Sequence, residues 1–322
     1  MTNNLIEIKN LFVEYKTEGA MNEQKTVFAV NGLSLEIKQG EIFSIAGESG
    51  CGKSTLAKAI MRLVEVKTGE ISTTSGENIL HLSKNDLKKF RQKTQMIFQN
   101  PYSSLNPKMK IYDILKEPLI VNKELESLKK LKKQDLDKII LDTISQVGLD
   151  PSVLSLYPHE FSGGQRQRIA IARSLMLQPQ FIVADEPVSA LDVSIQAQII
   201  NLLRDLKEKF NLTFLFISHD LSVIKYLSDR VGIMYLGEIV EIGTSDEIFG
   251  SPKHPYTEAL LSANPGNNIE KIILKGDLPS QSDLPKGCKF HTRCHKVMEI
   301  CKTVCPASTK FSETHSVSCH LY

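Results

Sequence analysis

The segment GESGCGKST at residues 47–55 constrains the fold of this chain more than any other. A short apolar run at residues 41–46 precedes it, and apolar residues at helical spacing follow it: Leu56, Ala59, Ile60 and Leu63. This order predicts a strand, a glycine-rich turn and a helix. Glycines at both ends of such a turn let backbone N–H groups surround a phosphate, while Lys53 reaches its oxygens and Ser54 offers a hydroxyl to Mg²⁺. The predicted nucleotide-binding loop comprises Gly47, Glu48, Ser49, Gly50, Cys51, Gly52, Lys53, Ser54 and Thr55, and Cys51 is interpreted as a small filler.

The rest of the chain follows an α/β order. Apolar residues roughly alternate over residues 6–14 and 28–37, which predicts an antiparallel β subdomain. Later strands are predicted at FIVA, TFLFI, VGIMY and IVEI, with a helix at about 195–210 between the first two. A mainly helical subdomain is expected at about 99–177. We therefore predict a mixed sheet core in a domain at 1–254, and a small irregular, Cys-rich extension at 255–322.

Composition narrows the classes of function. The 322 residues include 39 basic and 37 acidic side chains, so the net charge is only +2 and no nucleic-acid partner is predicted. No apolar run has the length of a membrane span, and the N-terminus lacks a signal pattern, which predicts a cytosolic location. Five cysteines lie between residues 288 and 319. In a reducing compartment they indicate a metal site more than disulfides.

An acidic pair ends the predicted strand in FIVADE. Asp185 would contact a metal ion through ordered water, and Glu186 would polarise the attacking water as the general base. Because an acidic residue is present at position 186, the site is predicted to hydrolyse its nucleotide rather than only bind it. His219, in FISHD after another predicted core strand, is expected to contact the γ-phosphate at the carboxyl end of the sheet.

A second phosphate-binding surface is predicted in FSGGQ at residues 161–165. A hydroxyl and the backbone donors of two glycines stand there at the start of a predicted helix. The first loop already surrounds its own nucleotide, so we expect this surface to contact the γ-phosphate held by a partner chain. A plain glycine N-cap is the alternative for the pentapeptide considered alone. The predicted trans contacts are Phe161, Ser162, Gly163, Gly164 and Gln165.

The ordered set GESGCGKST, FQNPYSSLNP, FSGGQRQR, FIVADEP, SALD and FISHD resembles the nucleotide-binding domain of ABC transporters over about residues 5–250. The resemblance implies a P-loop NTPase fold of the ABC type, with ATP and Mg²⁺ bound. It implies that Gln99 is catalytic and contacts Mg²⁺ together with Ser54 and Asp185, and that Asp192 lies at the dimer contact. Tyr15 is the best match to the aromatic residue that stacks on adenine, although the loop after it is longer than usual in the family.

Finer features resemble one branch of that family, the ATPases of oligopeptide, dipeptide and nickel importers. They are NPYSSLNPKM, EPVSALDVSIQAQIINLL, MYLGEIVE and the C-terminal motif HPYTEALLSANP. The resemblance implies a heterodimer with a paralogous ATPase, docked on two membrane permease subunits at the cytoplasmic face of the membrane. An extracellular substrate-binding protein would act indirectly. Peptide is the commonest cargo of the branch, and nickel or another small solute stays open.

The cysteines at positions 288, 294, 301, 305 and 319 lack the C-x₂-C pairs that favour zinc. Their spacing leaves an iron–sulfur cluster, zinc and the absence of a metal open. The C-terminal segment resembles a tail that holds a [4Fe–4S] cluster in some members of the family, on the basis of GCKFHTRC, a later cysteine and VSCHL. This resemblance implies Cys288, Cys294, Cys301 and Cys319 as ligands. Cys305 has no counterpart in that pattern, so its part in binding stays open.

Two other classes of function remain to be weighed. Soluble ABC ATPases act in DNA repair or on ribosomes, but the interval between residues 55 and 161 holds no sustained heptads, and the chain has one phosphate loop rather than two. An iron–sulfur regulator that only binds ATP would work without membrane partners. Co-purification with two hydrophobic permease subunits separates both from a transporter subunit.

Overall fold

The computed structural model describes residues 4–18, 24–123, 126–129, 132–263 and 270–322. The chain divides into two compact units. The first combines Met1–Leu82 with Leu215–Tyr322, and the second is Ser83–Phe214. The end of the predicted motif HPYTEALLSANP, Asn264 and Pro265, lies outside the described residues.

The N-terminal part of the first unit builds an antiparallel sheet and the phosphate loop. Its elements are β1 (Asn4–Glu18), β2 (Gln24–Lys38), β3 (Ile42–Ala46), α1 (Lys53–Ile60) and β4 (Thr68–Thr73). The antiparallel order is β2-β1-β4, with Ile8 opposite Leu35 and Ile71. The predicted antiparallel strands and the strand–loop–helix order are confirmed. Leu63 is a correction, because α1 ends at Ile60 and the Leu63 side chain is 48% exposed.

The second unit is mainly helical. Its elements are α2 (Lys84–Lys93), β5 (Thr94–Ile97), α3 (Pro101–Ser104), α4 (Ile111–Val121), α5 (Glu126–Lys129), α6 (Lys133–Gln146), α7 (Gly163–Leu175), β6 (Phe181–Asp185) and α8 (Val193–Phe210). Helices α3 to α7 all lie within residues 99–177, where helices were expected. Strands β5 and β6 pair in parallel, with Thr94 opposite Phe181. The β6 strand is buried along its whole length, as its continuous apolar sequence predicts.

The chain returns to the first unit along β7 (Thr213–Ile217) and continues through α9 (Leu221–Leu227), β8 (Arg230–Tyr235), β9 (Glu238–Thr244), α10 (Ser245–Gly250), α11 (Pro255–Ser262), β10 (Ser308–Lys310) and β11 (Ser316–Ser318). The strand order in this unit is β10-β11-β9-β8-β3-β7. Strands β3 and β8 are parallel, and β9 and β11 are antiparallel additions.

The C-terminal extension is more regular than the sequence predicted. Its hairpin of β10 and β11 extends the sheet, with Ser316 opposite Ile242 of β9. Residues 255–322 belong to the same compact unit as the phosphate loop. The boundary at residue 255 therefore stays a prediction. Within the described ranges, none of the helices has both the length and the apolar character that a bilayer crossing requires.

An aromatic cluster joins the Cys-rich segment to β8 within the first unit. Phe290 is 1% exposed, and its ring centroid lies 5.2 Å from that of Tyr235 and 5.3 Å from that of Tyr256. The tyrosine rings are 4.7 Å apart. Burial of a phenylalanine side chain contributes about 1.5–3 kcal/mol, and each aromatic pair adds about 0.5–1.5 kcal/mol. Phe290 is therefore a principal anchor of the Cys-rich segment.

Candidate active site

The phosphate loop joins β3 to α1 through two glycines with unusual backbone angles. Gly47 has φ of +154° and Gly52 has φ of +109°. A Cβ atom on Gly47 would lie 2.2 Å from the Met234 carbonyl oxygen, and one on Gly52 would lie 2.0 Å from the Ala29 carbonyl oxygen. Both positions exclude any side chain. The close backbone packing forms a cradle that suits a phosphate bound by main-chain donors, and the binding role of the loop stays a prediction.

The remaining loop residues place a cation inside this cradle. Lys53 is 4% exposed, and its Nζ donates to the carbonyl oxygens of Gly47 at 2.8 Å and Glu48 at 2.9 Å. Gly52 precedes α1 without a side-chain cap, and a helix N-terminus favours an anion. Cys51 is buried, and burial raises the pKa of its thiol although Lys53 opposes the shift. A buried neutral thiol supports its interpretation as a filler.

Two residues that the sequence patterns do not predict, Tyr256 and Arg293, hold the loop at Glu48. The Glu48 N–H donates to the Tyr256 hydroxyl at 2.9 Å. Arg293 Nη1 donates to both carboxylate oxygens of Glu48, at 3.1 and 2.9 Å. Both partners lie more than 200 residues further along the chain, so no local spacing indicates them. The sequence signal was limited to the HPY motif that contains Tyr256.

The second unit brings together Gln99 and the acidic pair. Asp185 ends β6 and is 4% exposed. Glu186 follows with φ of +45°, a conformation that non-glycine residues adopt rarely and mostly at special sites. Gln99 Nε2 donates to Glu186 Oε2 at 2.9 Å, although the two residues are 87 positions apart. The Ser189 hydroxyl donates to the Glu186 carbonyl oxygen at 3.1 Å. The carboxylate is thus oriented by an amide donor beside the buried aspartate.

The FSGGQ segment lies at the N-terminus of α7. Ser162 is its N-cap: the Ser162 hydroxyl accepts from the Gln165 N–H at 3.4 Å, and the Gln165 side chain accepts from the Ser162 N–H at 3.1 Å. The N-cap alternative is therefore present in the single chain. A Cβ atom on Gly164 would lie 2.5 Å from Ile195 Cγ2, so the segment packs against the start of α8. Asp192 is the N-cap residue of α8 and is exposed, as are Ser162 and Gln165.

The other predicted site residues lie in the first unit. Ser54 and Thr55 are half-buried in the first turn of α1. His219 is exposed just after β7. Tyr15 lies on β1 opposite Val27 and is 37% exposed. The first unit therefore carries the phosphate loop, His219 and Tyr15, and the second carries Gln99, the acidic pair and the FSGGQ segment.

Four of the five C-terminal cysteines are buried or half-buried: Cys288, Cys294, Cys301 and Cys319. Burial is the main cause that raises the pKa of the Cys288 thiol to about 11, and the thiols of Cys301, Cys319 and Cys294 act in the same direction. The Cys288 N–H donates to the Cys301 carbonyl oxygen at 2.9 Å, and the Lys296 N–H donates to Cys294 Sγ at 3.4 Å.

The fifth cysteine differs from these four. Cys305 is exposed, and its thiol donates to the Gly287 carbonyl oxygen at 3.2 Å. His315 is also committed elsewhere, because its Nε2 lies 2.8 Å from Glu241 Oε1. Among the residues that the structure describes, no group of three or more His, Cys, Asp or Glu side chains is arranged to hold a metal ion. The predicted iron–sulfur cluster gains no support from this arrangement.

Comparison with known protein families and solved structures identifies the class of protein to which the chain belongs. The family model described as "ABC transporter" matches residues 30–189, and the model "Oligopeptide/dipeptide transporter, C-terminal region" matches residues 240–301. A solved dimeric ATP-binding cassette in a post-hydrolysis state with ADP and Pi superposes with a TM-score of 0.65 at 29% identity, over 75% of this chain and 99% of that one. The phosphate cradle and these matches define an ABC-type ATPase fold.

Relatives with similar sequences identify the branch of the ABC transporter family. The oligopeptide transport ATP-binding protein AppF of Bacillus subtilis (strain 168) is 46% identical over 99% of this chain and 97% of its own length. The dipeptide transport ATP-binding protein DppF of Haemophilus influenzae is 44% identical over 98% of this chain and 95% of its own length. The chain belongs to the family of ABC transporter ATP-binding proteins, in the branch with the oligopeptide/dipeptide C-terminal region.

Proposed function

We propose that this protein is the ATP-hydrolysing subunit of an ABC importer for oligopeptides or dipeptides. The observation that carries the enzymatic part is the hydrogen bond from Gln99 to the Glu186 carboxylate, next to buried Asp185. A carboxylate at that position can accept the proton of an attacking water. Full-length similarity to peptide transport proteins supports the choice of peptide over nickel or another small solute.

In the proposed mechanism the loop N–H groups and Lys53 hold the β- and γ-phosphates, and Tyr15 stacks on the adenine. Mg²⁺, when bound, neutralises charge on the phosphate oxygens, and Ser54, Gln99 and Asp185 are the residues that would hold it, with Asp185 acting through water. Glu186 orients and deprotonates the attacking water, and His219 contacts the γ-phosphate.

We further propose that two ATPase chains close on the nucleotides between them. The supporting feature is the exposed pair of helix N-termini that carries Ser162, Gln165 and Asp192. The Ser162 hydroxyl is used as a helix cap, so the contribution to a partner's γ-phosphate would come mainly from the backbone donors of this segment and the α7 dipole. The mate is a paralogous ATPase, which makes the active assembly a heterodimer.

The remaining partners follow from the branch. Two permease subunits form the membrane path, an extracellular binding protein delivers the peptide, and this chain works at the cytoplasmic face as a peripheral subunit. Gln99 directly precedes α3, the first of the helices α3 to α7, so closure around ATP would move these helices and the permease segment docked on them.

The extension is proposed to hold a [4Fe–4S] cluster through Cys288, Cys294, Cys301 and Cys319. This ligand set rests on the resemblance of GCKFHTRC, a later cysteine and VSCHL to the cluster-binding tail of some family members.

Replacement of Glu186 by glutamine tests the proposed function. The amide keeps the size of the side chain but cannot accept the proton, so we expect ATP hydrolysis to fall by about 10²–10⁴-fold while MgATP binding is retained. The variant reconstituted with its paralogue should accumulate as a closed dimer in gel filtration. Glu208→Gln, an exposed change on α8, is the matched control. Near wild-type hydrolysis by Glu186→Gln would remove Glu186 as the general base.

A further inference from the structure

Glu48 is the residue of the phosphate loop that contacts the C-terminal extension, through Tyr256 and Arg293. Its carbonyl oxygen accepts from Lys53 Nζ, its N–H donates to the Tyr256 hydroxyl, and its carboxylate accepts both contacts from Arg293. The next two residues, Ser49 and Gly50, are exposed. The loop is therefore fixed at Glu48 immediately before its exposed turn.

The ion pair of Arg293 with Glu48 is largely shielded from water. The Arg293 side chain is 10% exposed and that of Glu48 is 27% exposed. Exposed ion pairs contribute little, whereas charge-assisted hydrogen bonds from a rigid guanidinium to a shielded carboxylate contribute more and fix the geometry. Burial acts to lower the pKa of the Arg293 guanidinium, but Glu48, together with the nearby Tyr235 hydroxyl, outweighs burial and raises it.

Arg293 is held in turn by the Cys-rich segment. Its N–H donates to the carbonyl oxygen of buried Phe290 at 3.0 Å, which closes a tight turn. Cys294 follows directly, and Cys288 precedes Phe290 by two residues. Cys288 and Cys294 both pack against the cluster that contains Tyr235 and Tyr256. The position of the guanidinium thus depends on the fold of the segment that carries the cysteines.

We propose that Arg293 is a positioning residue for the phosphate loop. Through Glu48 it holds the loop in the form that binds nucleotide, and it thereby makes the affinity for ATP depend on the folded C-terminal extension. This inference rests on the proposed binding of MgATP at residues 47–55. It assigns to the extension a direct effect on the ATP site of its own chain.

The test measures MgATP binding to the full-length protein by isothermal titration, together with steady-state ATPase kinetics of the reconstituted complex. Arg293→Met is expected to raise Kd about tenfold, or 1.4 kcal/mol. KM should rise by a similar factor while kcat changes less than about twofold, because the loop still reaches its binding form when ATP is saturating. The Kd of Arg293→Lys should lie between those of the wild type and Arg293→Met, because lysine keeps the positive charge but lacks the forked pair of guanidinium donors.

The matched control is Lys296→Met. Lys296 forms an ion pair with Glu258 at 2.6 Å in the same extension, but it is 42% exposed and does not contact the loop. It should leave Kd unchanged. A folded Arg293→Met variant with wild-type Kd would overturn the inference, and so would a loss of kcat with Kd unchanged.

A second variant keeps the test decisive if Arg293→Met does not fold. Glu48→Gln removes the same ion pair from the loop side and leaves the extension intact, so it should raise Kd to a similar extent. Wild-type affinity in Glu48→Gln would also refute the inference. If the wild-type protein itself fails to bind MgATP, the proposed function is wrong. If the wild-type protein binds MgATP and both variants bind it with the same Kd, only the proposed role of Arg293 is wrong.

Discussion

Replacement of Phe290 by alanine should be one of the most destabilising single changes in the first unit. The side chain is 1% exposed and packs against the rings of Tyr235, Tyr256 and His254 at centroid distances of 5.2, 5.3 and 5.7 Å. Removing a buried phenylalanine costs about 3–5 kcal/mol, because the lost transfer free energy is added to the cost of the cavity. The expected loss in the free energy of unfolding is therefore about 4 kcal/mol.

Thermal unfolding of the full chain, followed by circular dichroism and calorimetry, measures this loss. For a unit of this size 1 kcal/mol lowers Tm by about 2–4 °C, so the transition of the first unit should move by about 8–16 °C. Phe311→Ala is the matched control, since that ring is 43% exposed, and it should cost less than about 1 kcal/mol. Equal effects of the two substitutions would refute the view that the Phe290 cluster anchors the extension.

Two further predictions concern the extension. Burial acts to raise the pKa of Glu247, but hydrogen bonds from Thr244, Ser312 and Thr314 outweigh it and lower the pKa to about 2. Because this pKa is below its unfolded value, the stabilisation is present above about pH 4.5 and is lost as pH falls toward 2, and a Glu247→Gln variant should show a flatter decline of Tm over that window. Cys294→Ser should lower the iron and acid-labile sulfide found after anaerobic purification, whereas Cys305→Ser should not; equal loss in both would contradict the ligand set.

Local patterns in the sequence were sufficient for much of the fold. The glycine spacing at residues 47–55 predicted the strand, loop and helix, because φ above zero and close backbone packing admit only glycine at Gly47 and Gly52. Continuous apolar runs predicted β6 and β7 as buried strands. Leu63 was misplaced because helical periodicity does not mark where a helix ends. The regular β10–β11 hairpin was missed because strands of three residues carry almost no periodic signal.

The sequence predicts which residues belong to the candidate site, but it does not predict the contacts between them. The sequence placed Gln99 and Glu186 in the same reaction, while only the structure gives the hydrogen bond between them. It also offered two interpretations of Ser162, and the structure shows the hydroxyl engaged in a helix cap. A capping box depends on local backbone geometry, which is why the motif alone left both open.

The phosphate loop, the acidic pair after a buried strand and the family branch can all be predicted from sequence, because each depends on residues that are neighbours along the chain. The distant residues that hold the phosphate loop are known only from the folded structure. Arg293 and Tyr256 contact Glu48 from more than 200 positions away along the chain. Contacts of this kind arise when the whole chain packs, and no spacing in the sequence specifies them.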